Sequence, residues 1–545
     1  MRAASVLIIA VLLLPSAWLL SQTSDIPQFG VIHDDALYYV SAESLADGGG
    51  YRIMSLPGEP AQTKYPPLYP LLLSFAWRIN PSFPENMPIA AWLSWLAMPL
   101  LLLLLAPTWR RMGFSGWRVW VLLGLFATNA YVLMFSTQLL TELWFLVLSL
   151  ASMLLIERGL DARTHARETG ASIDGAVRWI LLAGAVAGLA YLTRSAALAL
   201  LAAGGLYLWI RGERKLAGIF SASMLPFLVG WTIWTRVHQT PTGDPALFYY
   251  LDYLRYHFYS FPLGSVHLIL WKNVDGLLSS LGSLILPNIF PSPLIKMLTV
   301  AIAVGMILGT VRLVRQQRGL LFALFALLNA LMLIAWSFPP NERLVMPLFP
   351  VALSGLLTEI EHLSGLLAAA RRHPDRGQRI VAMGFGGVVA MAGIVILGVH
   401  AYMAAIYIPQ DADRQRARLE DRRAAYAWIR DHIPADAAVF SKDDPLLYLY
   451  TGRHAMRRPI PPPFWYTEDH ESTIDWLGNL TPYAEQYDLS YLEFSGVGAD
   501  QGLNQDEQQA IAKAIESNPD LIQKFAHGKT AVYAVEPDQP RMATR

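Results

Sequence analysis

The stretch "VIHDDALYYV" (31–40) sets two adjacent carboxylates, Asp34 and Asp35, just after the first apolar run of the chain. A carboxylate kept ionised by a helix N-terminus can take a proton as a general base. A helix start also uses acids structurally, with Asp34 as an N-cap and Asp35 facing the positive helix end. One acid is enough for that, which makes the pair a candidate base. The next segment, "AQTKYPPLYPLLL", carries Lys64, and only Arg52 and Arg78 join it as basic residues between 21 and 88. Two prolines after Tyr65 hold the chain extended before an apolar helix. Such a lysine either snorkels along the apolar surface or grips a phosphate as a point charge. Three further sites put charge at the ends of apolar runs: Glu142 in "LLTELWF", Arg194 in "YLTRSAA", and Glu342 with Arg343 in "PPNERLV". Charges there face a cavity and a partner, or act as caps and interfacial anchors. His33, His257 and His267 match no metal-ligand spacing and read as structural.

The elements that must position these residues are membrane helices. Of 545 residues, 54% are hydrophobic and 15% charged, and mean hydropathy is +0.35. Apolar runs near 3–20, 89–109, 117–135, 140–156, 179–193, 196–210, 216–236, 294–314, 319–337, 344–362 and 380–402 give about eleven spans of a hydrocarbon core roughly 30 Å thick. The first run is expected to be an uncleaved membrane helix rather than a signal peptide, because its apolar stretch reaches Leu20. Basic residues cluster at Arg110, Arg111 and Arg118; at Arg158, Arg163, Arg167 and Arg178; at Arg211, Arg214 and Lys215; at Arg312, Arg315 and Arg318; and at Arg371, Arg372, Arg376 and Arg379. If the spans alternate, all five clusters lie on one side, which the positive-inside rule makes cytoplasmic. The N-terminus is then cytoplasmic, and the large connections 21–88 and 237–293 lie outside with the tail. The expected organisation is a membrane module over 1–405 and an extracytoplasmic α/β domain over 406–545.

The first outer loop predicts a short amphipathic helix from Asp35 to a stop at Gly48–Gly50, lying in the membrane interface with its tyrosines at that depth. In the tail, "RQRARLEDRRAAYAWIRDHI" predicts a helix, "AAVFS" a strand, and "DPLLYLYTGR" a helix ending near Gly452. "PIPPPFWY" reads as extended, "LSYLEF" and "TAVYAV" as strands, and "DEQQAIAKAIESNPDLIQKFA" as the helix between them. The chain has no cysteine, which excludes disulfides and thiol chemistry. Zero net charge gives no global attraction to nucleic acid. The Asn479 sequon "NLT" is at chance level.

The motifs "HDDALYYVSAESLADGGGY", "TKYPPLYPLLL", "LLTELWFLVLSLASMLL", "GLAYLTRSAALALL", "NERLVMPLFPVAL" and "AAYAWIRDHIPADAAVFSKDDPLLYLYTGRHAMRRP" occur in that order. Together they resemble the GT-C membrane glycosyltransferases, in the branch of the protein O-mannosyltransferases and lipid A aminoarabinose transferases. The resemblance spans nearly the whole chain and rests on order and topology more than on any one motif. It implies transfer of a sugar from a polyprenyl-phosphate donor to a protein, lipid or glycan acceptor at the outer face of the membrane, and with no cysteine and no retention signal in the sequence the expected location is a bacterial inner membrane. The family's catalytic acid maps onto Asp34, with Asp35 beside it. Relatives often carry Glu in this pair, so which aspartate does the chemistry stays open. The resemblance places the lipid phosphate on Lys64, with Tyr65, Arg194, Arg343, Glu142 and Glu342 completing the donor site.

That chemistry suits the residue types. An acceptor attacking the anomeric carbon loses a proton, which one carboxylate can take. The leaving phosphate gains charge, which Lys and Arg stabilise. Inversion in a single displacement needs no more than this. A retaining route would need a second carboxylate, Asp35 or Glu142, close by. No cofactor is required, and a divalent cation is optional. Two other readings are a flippase of lipid-linked sugars, which calls for inverted repeats and midplane charges, and a non-catalytic scaffold of envelope assembly.

Overall fold

A computed structural model of the protein describes residues 3–240, 243–258, 263–289, 292–371, 376–496 and 503–536. Arg372, in the last basic cluster, lies outside them. The chain forms two compact units: one of residues 1–23, 94–233 and 269–410, the other of 24–93, 234–268 and 411–545.

Eight helices among the described residues are long and apolar enough to cross a membrane: Ser5–Thr23, Met87–Arg111, Glu142–Thr169, Asp174–Thr193, Arg214–His238, Pro293–Arg315, Glu342–Ala370 and Gly386–His432. The other three expected spans fall on a bent pair and on two shorter helices. Trp117–Ala127 and Ala130–Ser136 meet at 59°. The break has a local cause: Asn129 is extended, and its side chain caps the second helix by accepting from the Tyr131 and Val132 N–H groups. Ser195–Ile210 and Leu320–Ile334 are apolar but short. The second has 15 residues, or about 22 Å of helix at 1.5 Å per residue. Length and composition therefore give eight spans, or nine with the bent pair, in place of eleven.

Several glycines lie at close helix contacts in the helical unit. A Cβ on Gly309 would strike the Gly355 carbonyl, and one on Gly355 would strike the Met306 carbonyl. Gly184 and Gly188 in "GAVAGLA" likewise back onto Phe220, Ser223 and Phe227. These positions serve backbone approach between helices.

The other unit is built on a five-stranded sheet: β1 Ala438–Ser441, β2 Ala455–Met456, β3 Leu489–Phe494, β4 Leu521–His527 and β5 Thr530–Val535. Strand order is β2-β1-β3-β5-β4. The first three strands are parallel, and β5 runs antiparallel to both β3 and β4. Residues read as the end of one long helix are strand β4. The helix stops at Glu516, because Pro519 disfavours helical backbone at Asn518, and the chain then pairs with β5. β4 is an exposed edge, protected by the charge of Lys524. The proline-rich stretch also departs from expectation. Pro462–Thr467 is a short helix with proline in its first turn, where the missing N–H costs nothing.

The Asp34–Ala46 helix forms as expected, and it is packed into the fold on both faces. Its polar face is buried too, Ser41 and Ser44 included. The Leu68–Ile79 helix covers one side, with the Trp77 indole donating to the Tyr39 carbonyl at 3.2 Å. Ser41 Oγ accepts from Gln62 Nε2, and Ser44 Oγ donates to the Gly50 carbonyl, so the polar face is satisfied internally. Glu43 is the exception. Its Oε2 is buried without a hydrogen bond, and burial, with Asp47 and Glu59 nearby, pushes its carboxyl up to about 7 from 4.5. Between those values the folded protein holds a proton the unfolded chain has lost, so stability falls as pH rises from 4.5 through 7. Glu43→Gln removes this loss. Thermal unfolding is expected to show a higher Tm for the variant at pH 8 and little difference at pH 4.

Candidate functional site

The sequence-derived site residues divide between the units. Asp34, Asp35, Lys64 and Tyr65 belong to the sheet-containing unit, and Glu142, Arg194, Glu342 and Arg343 to the helical one.

In the sheet-containing unit, the chain enters the Asp34–Ala46 helix through His33, whose φ of +70° is unusual for a residue with a side chain. The two aspartates that follow differ sharply. Asp35 is buried, and its carboxylate accepts the Gly30 N–H at 3.1 Å and the Ala36 N–H at 2.8 Å. It closes the loop that starts the helix. Asp34 is half-buried, and its Oδ1 accepts a short hydrogen bond from the Tyr65 hydroxyl.

Tyr65 and Lys64 sit in a loop shaped by a buried glutamine. Gln62 Oε1 accepts from the Lys64 N–H at 2.9 Å and the Tyr65 N–H at 3.3 Å. The Tyr51 hydroxyl donates to the Tyr65 carbonyl at 2.8 Å, and Thr63 Oγ1 to the Leu251 carbonyl at 2.7 Å. The last bond ties the loop to the Pro245–Leu251 helix, which supplies Tyr249 and Tyr250. Lys64 Nζ lies 3.8 Å from the Tyr249 ring centroid and 4.8 Å from that of Tyr65. The lysine is buried, seated on two aromatic faces that stabilise its charge.

Sequence reasoning dismissed His33 and passed over its partners. His33 Nε2 is bonded to Asp444 Oδ1 at 2.7 Å, and Nδ1 to the Tyr249 hydroxyl at 2.8 Å. The Tyr250 hydroxyl donates to Asp444 Oδ2 at 3.1 Å and accepts the Arg457 N–H at 3.0 Å. Burial, then the Arg457 and Lys64 charges, push the His33 pKa well below 6.5. Burial raises that of Asp444, and Arg457 opposes the rise. His257 is lowered to about 3 by burial and by Lys64. The available signal was the second acid pair: "KDDPLL" opens the Asp444–Thr451 helix as "HDDALY" opens the first.

In the helical unit, Glu142 begins its helix and is 1% exposed. Its Oε1 accepts from both Arg194 and Arg343 at short range, and Arg194 also donates to Thr141 Oγ1 at 2.8 Å. Three residues from separate motifs thus form one cluster with a net positive charge. Glu342 does not join it. Its Oε1 accepts from Ser283 Oγ at 2.6 Å, while Asn341 caps the helix by accepting the Leu344 N–H. Among the described residues no three His, Asp or Glu side chains group as metal ligands.

The chain shares its fold with solved structures of ArnT and of an archaeal oligosaccharyltransferase. The structure of ArnT from Cupriavidus metallidurans bound to undecaprenyl phosphate is similar over 99% of this chain and 99% of its own, at a TM-score of 0.53 and 12% identity. The apo oligosaccharyltransferase of Archaeoglobus fulgidus is similar over 97% of this chain and 75% of its own, at a TM-score of 0.52 and 12% identity. At such identities the likeness is one of fold. No protein-family model matches the chain, and no curated protein sequence does.

Proposed function

We propose that this multi-pass membrane protein transfers a sugar from a polyprenyl-phosphate donor to an acceptor at the outer face of a bacterial inner membrane. The observation that carries the reading is the division of labour at the helix start. Asp35 is spent on backbone N–H groups, while Asp34 stays half-buried beside Tyr65, with Lys64 in the same loop. The fold supports it, since one structure sharing that fold holds undecaprenyl phosphate. The positive-inside pattern supports an extracytoplasmic tail.

In this reading Asp34 takes the proton from the acceptor as the acceptor oxygen or nitrogen bonds to the anomeric carbon. The bond from that carbon to the phosphate oxygen breaks, and polyprenyl phosphate leaves with inverted stereochemistry at the sugar. Tyr65 orients the Asp34 carboxylate. Lys64 meets the growing phosphate charge. In the helical unit Glu142 holds Arg194 and Arg343 as a guanidinium pair, whose geometry is well suited to an anionic group.

The reading is tested by binding. Full-length protein in nanodiscs is titrated with undecaprenyl phosphate. Saturable binding is expected, weakened about 10- to 100-fold in Lys64→Ala, the range for a lost hydrogen bond to a charged group. No binding, or equal binding by the variant, contradicts it.

A further inference from the structure

We propose that His33 and Asp444 are positioning residues for Lys64, acting through Tyr249: the tail holds the ring on which the phosphate-binding lysine is seated. The inference rests on the donor-binding reading of Lys64 given above and extends it to residues outside that loop.

The geometry forms an unbroken chain. Asp444 is the first residue of the Asp444–Thr451 helix, three residues past the end of the interior strand β1, and is fully buried. It is fixed from one side by the Tyr250 hydroxyl, which is itself held by the Arg457 N–H. From the other side it meets His33 at 2.7 Å. His33 meets the Tyr249 hydroxyl at 2.8 Å, and the face of that ring lies 3.8 Å from the Lys64 ammonium. Burial and the nearby cations keep the imidazole neutral. A neutral imidazole donates at one nitrogen and accepts at the other, as a link between a phenol and a carboxyl requires.

A tyrosine ring can swing about its two side-chain torsions. Pinning its hydroxyl removes that freedom and fixes where the electron-rich face points. A cation over an aromatic face depends on that placement. A buried polar chain is also a costly way to fill space, since apolar packing would satisfy the core without it. Here the chain runs from the tail sheet to the residue before Asp34 and ends at the lysine. It therefore lets the tail set the affinity of the site for its anionic ligand.

The test is a double-mutant cycle on full-length protein in nanodiscs, with undecaprenyl phosphate as the probe and turnover of bound donor as a second readout. Tyr249→Phe keeps the ring and removes only the hydroxyl. It is expected to raise the Kd about three- to tenfold, the range for one neutral hydrogen bond, and to lower turnover of bound donor by no more than a similar factor, because Lys64 also meets the charge that grows on the phosphate. Asp444→Ala is expected to do the same. Because both act through one ring, the double variant should bind no more weakly than the poorer single one. Asp444→Asn, which keeps an acceptor for His33, should recover most of the affinity. Wild-type affinity in Tyr249→Phe overturns the inference, whether or not Asp444→Ala folds, and additive losses overturn it too. If wild type binds and Lys64→Ala does not, but the Tyr249 and Asp444 variants bind normally, the positioning role fails and the donor-site reading stands. If wild type shows no saturable binding, both fail together.

Discussion

Asp34→Asn is expected to reduce sugar transfer by about 10²- to 10⁴-fold, the contribution of a general base, while undecaprenyl phosphate still binds. The amide keeps an oxygen to accept from Tyr65 and cannot take a proton. Asp35→Asn should behave oppositely. Its carboxylate accepts two backbone N–H groups, from Gly30 and Ala36, in a buried site. An amide leaves one of those donors facing an NH₂ group, at a cost of about 1–3 kcal/mol. The variant should lose thermal stability and retain turnover per folded molecule. Circular dichroism melts and transfer assays on the same preparations separate the two. Turnover lost in Asp35→Asn and kept in Asp34→Asn would reverse the assignment.

Glu142→Ala should be the most destabilising single change in the helical unit. Glu142 is the shared partner of Arg194 and Arg343, whose side chains are only 19% and 12% exposed. Removing one member of a buried ion cluster leaves uncompensated charge and costs about 3–5 kcal/mol. The expected result is a large drop in Tm and a poor folded yield in detergent. Arg194→Met combined with Glu142→Ala should restore part of the Tm, because one stranded cation goes with its partner. An unchanged Tm in Glu142→Ala would show that the cluster is solvated and does not depend on the glutamate.

Local chemistry made much of this architecture legible, and long-range contact hid the rest. Apolar runs located the helices, and the proline-ended loop after Tyr65 placed Lys64 before the Leu68–Ile79 helix. The eleven expected spans correspond to eight long apolar helices, one bent pair and two shorter helices, because hydropathy does not register a cap such as Asn129, or a helix that stops short like Leu320–Ile334. The Asp34–Ala46 helix has an amphipathic pattern, and its polar face nonetheless lies largely inside the fold. The sequence does not show that Gln62 and the Gly50 carbonyl complete its polar face from inside the fold. β4 was read as helix because "DLIQKFA" continues a helical pattern past Pro519, and only pairing with β5 makes it a strand. At the site, Asp34, Lys64, Glu142, Arg194 and Arg343 stood out as charges at apolar borders. His33 and Asp444 did not, since they lie 411 positions apart and meet only in the folded unit. Tyr249 carried no signal among the many tyrosines.

The most direct test of the central claim is donor consumption by purified protein in proteoliposomes. A panel of radiolabelled polyprenyl-phosphate sugars is supplied with an envelope extract as acceptor, and both label transfer and the leaflet position of the donor are followed. The account predicts label moving to an acceptor with release of polyprenyl phosphate, abolished in Asp34→Asn. Donor that changes leaflet with its sugar still attached would contradict it and make the protein a transporter.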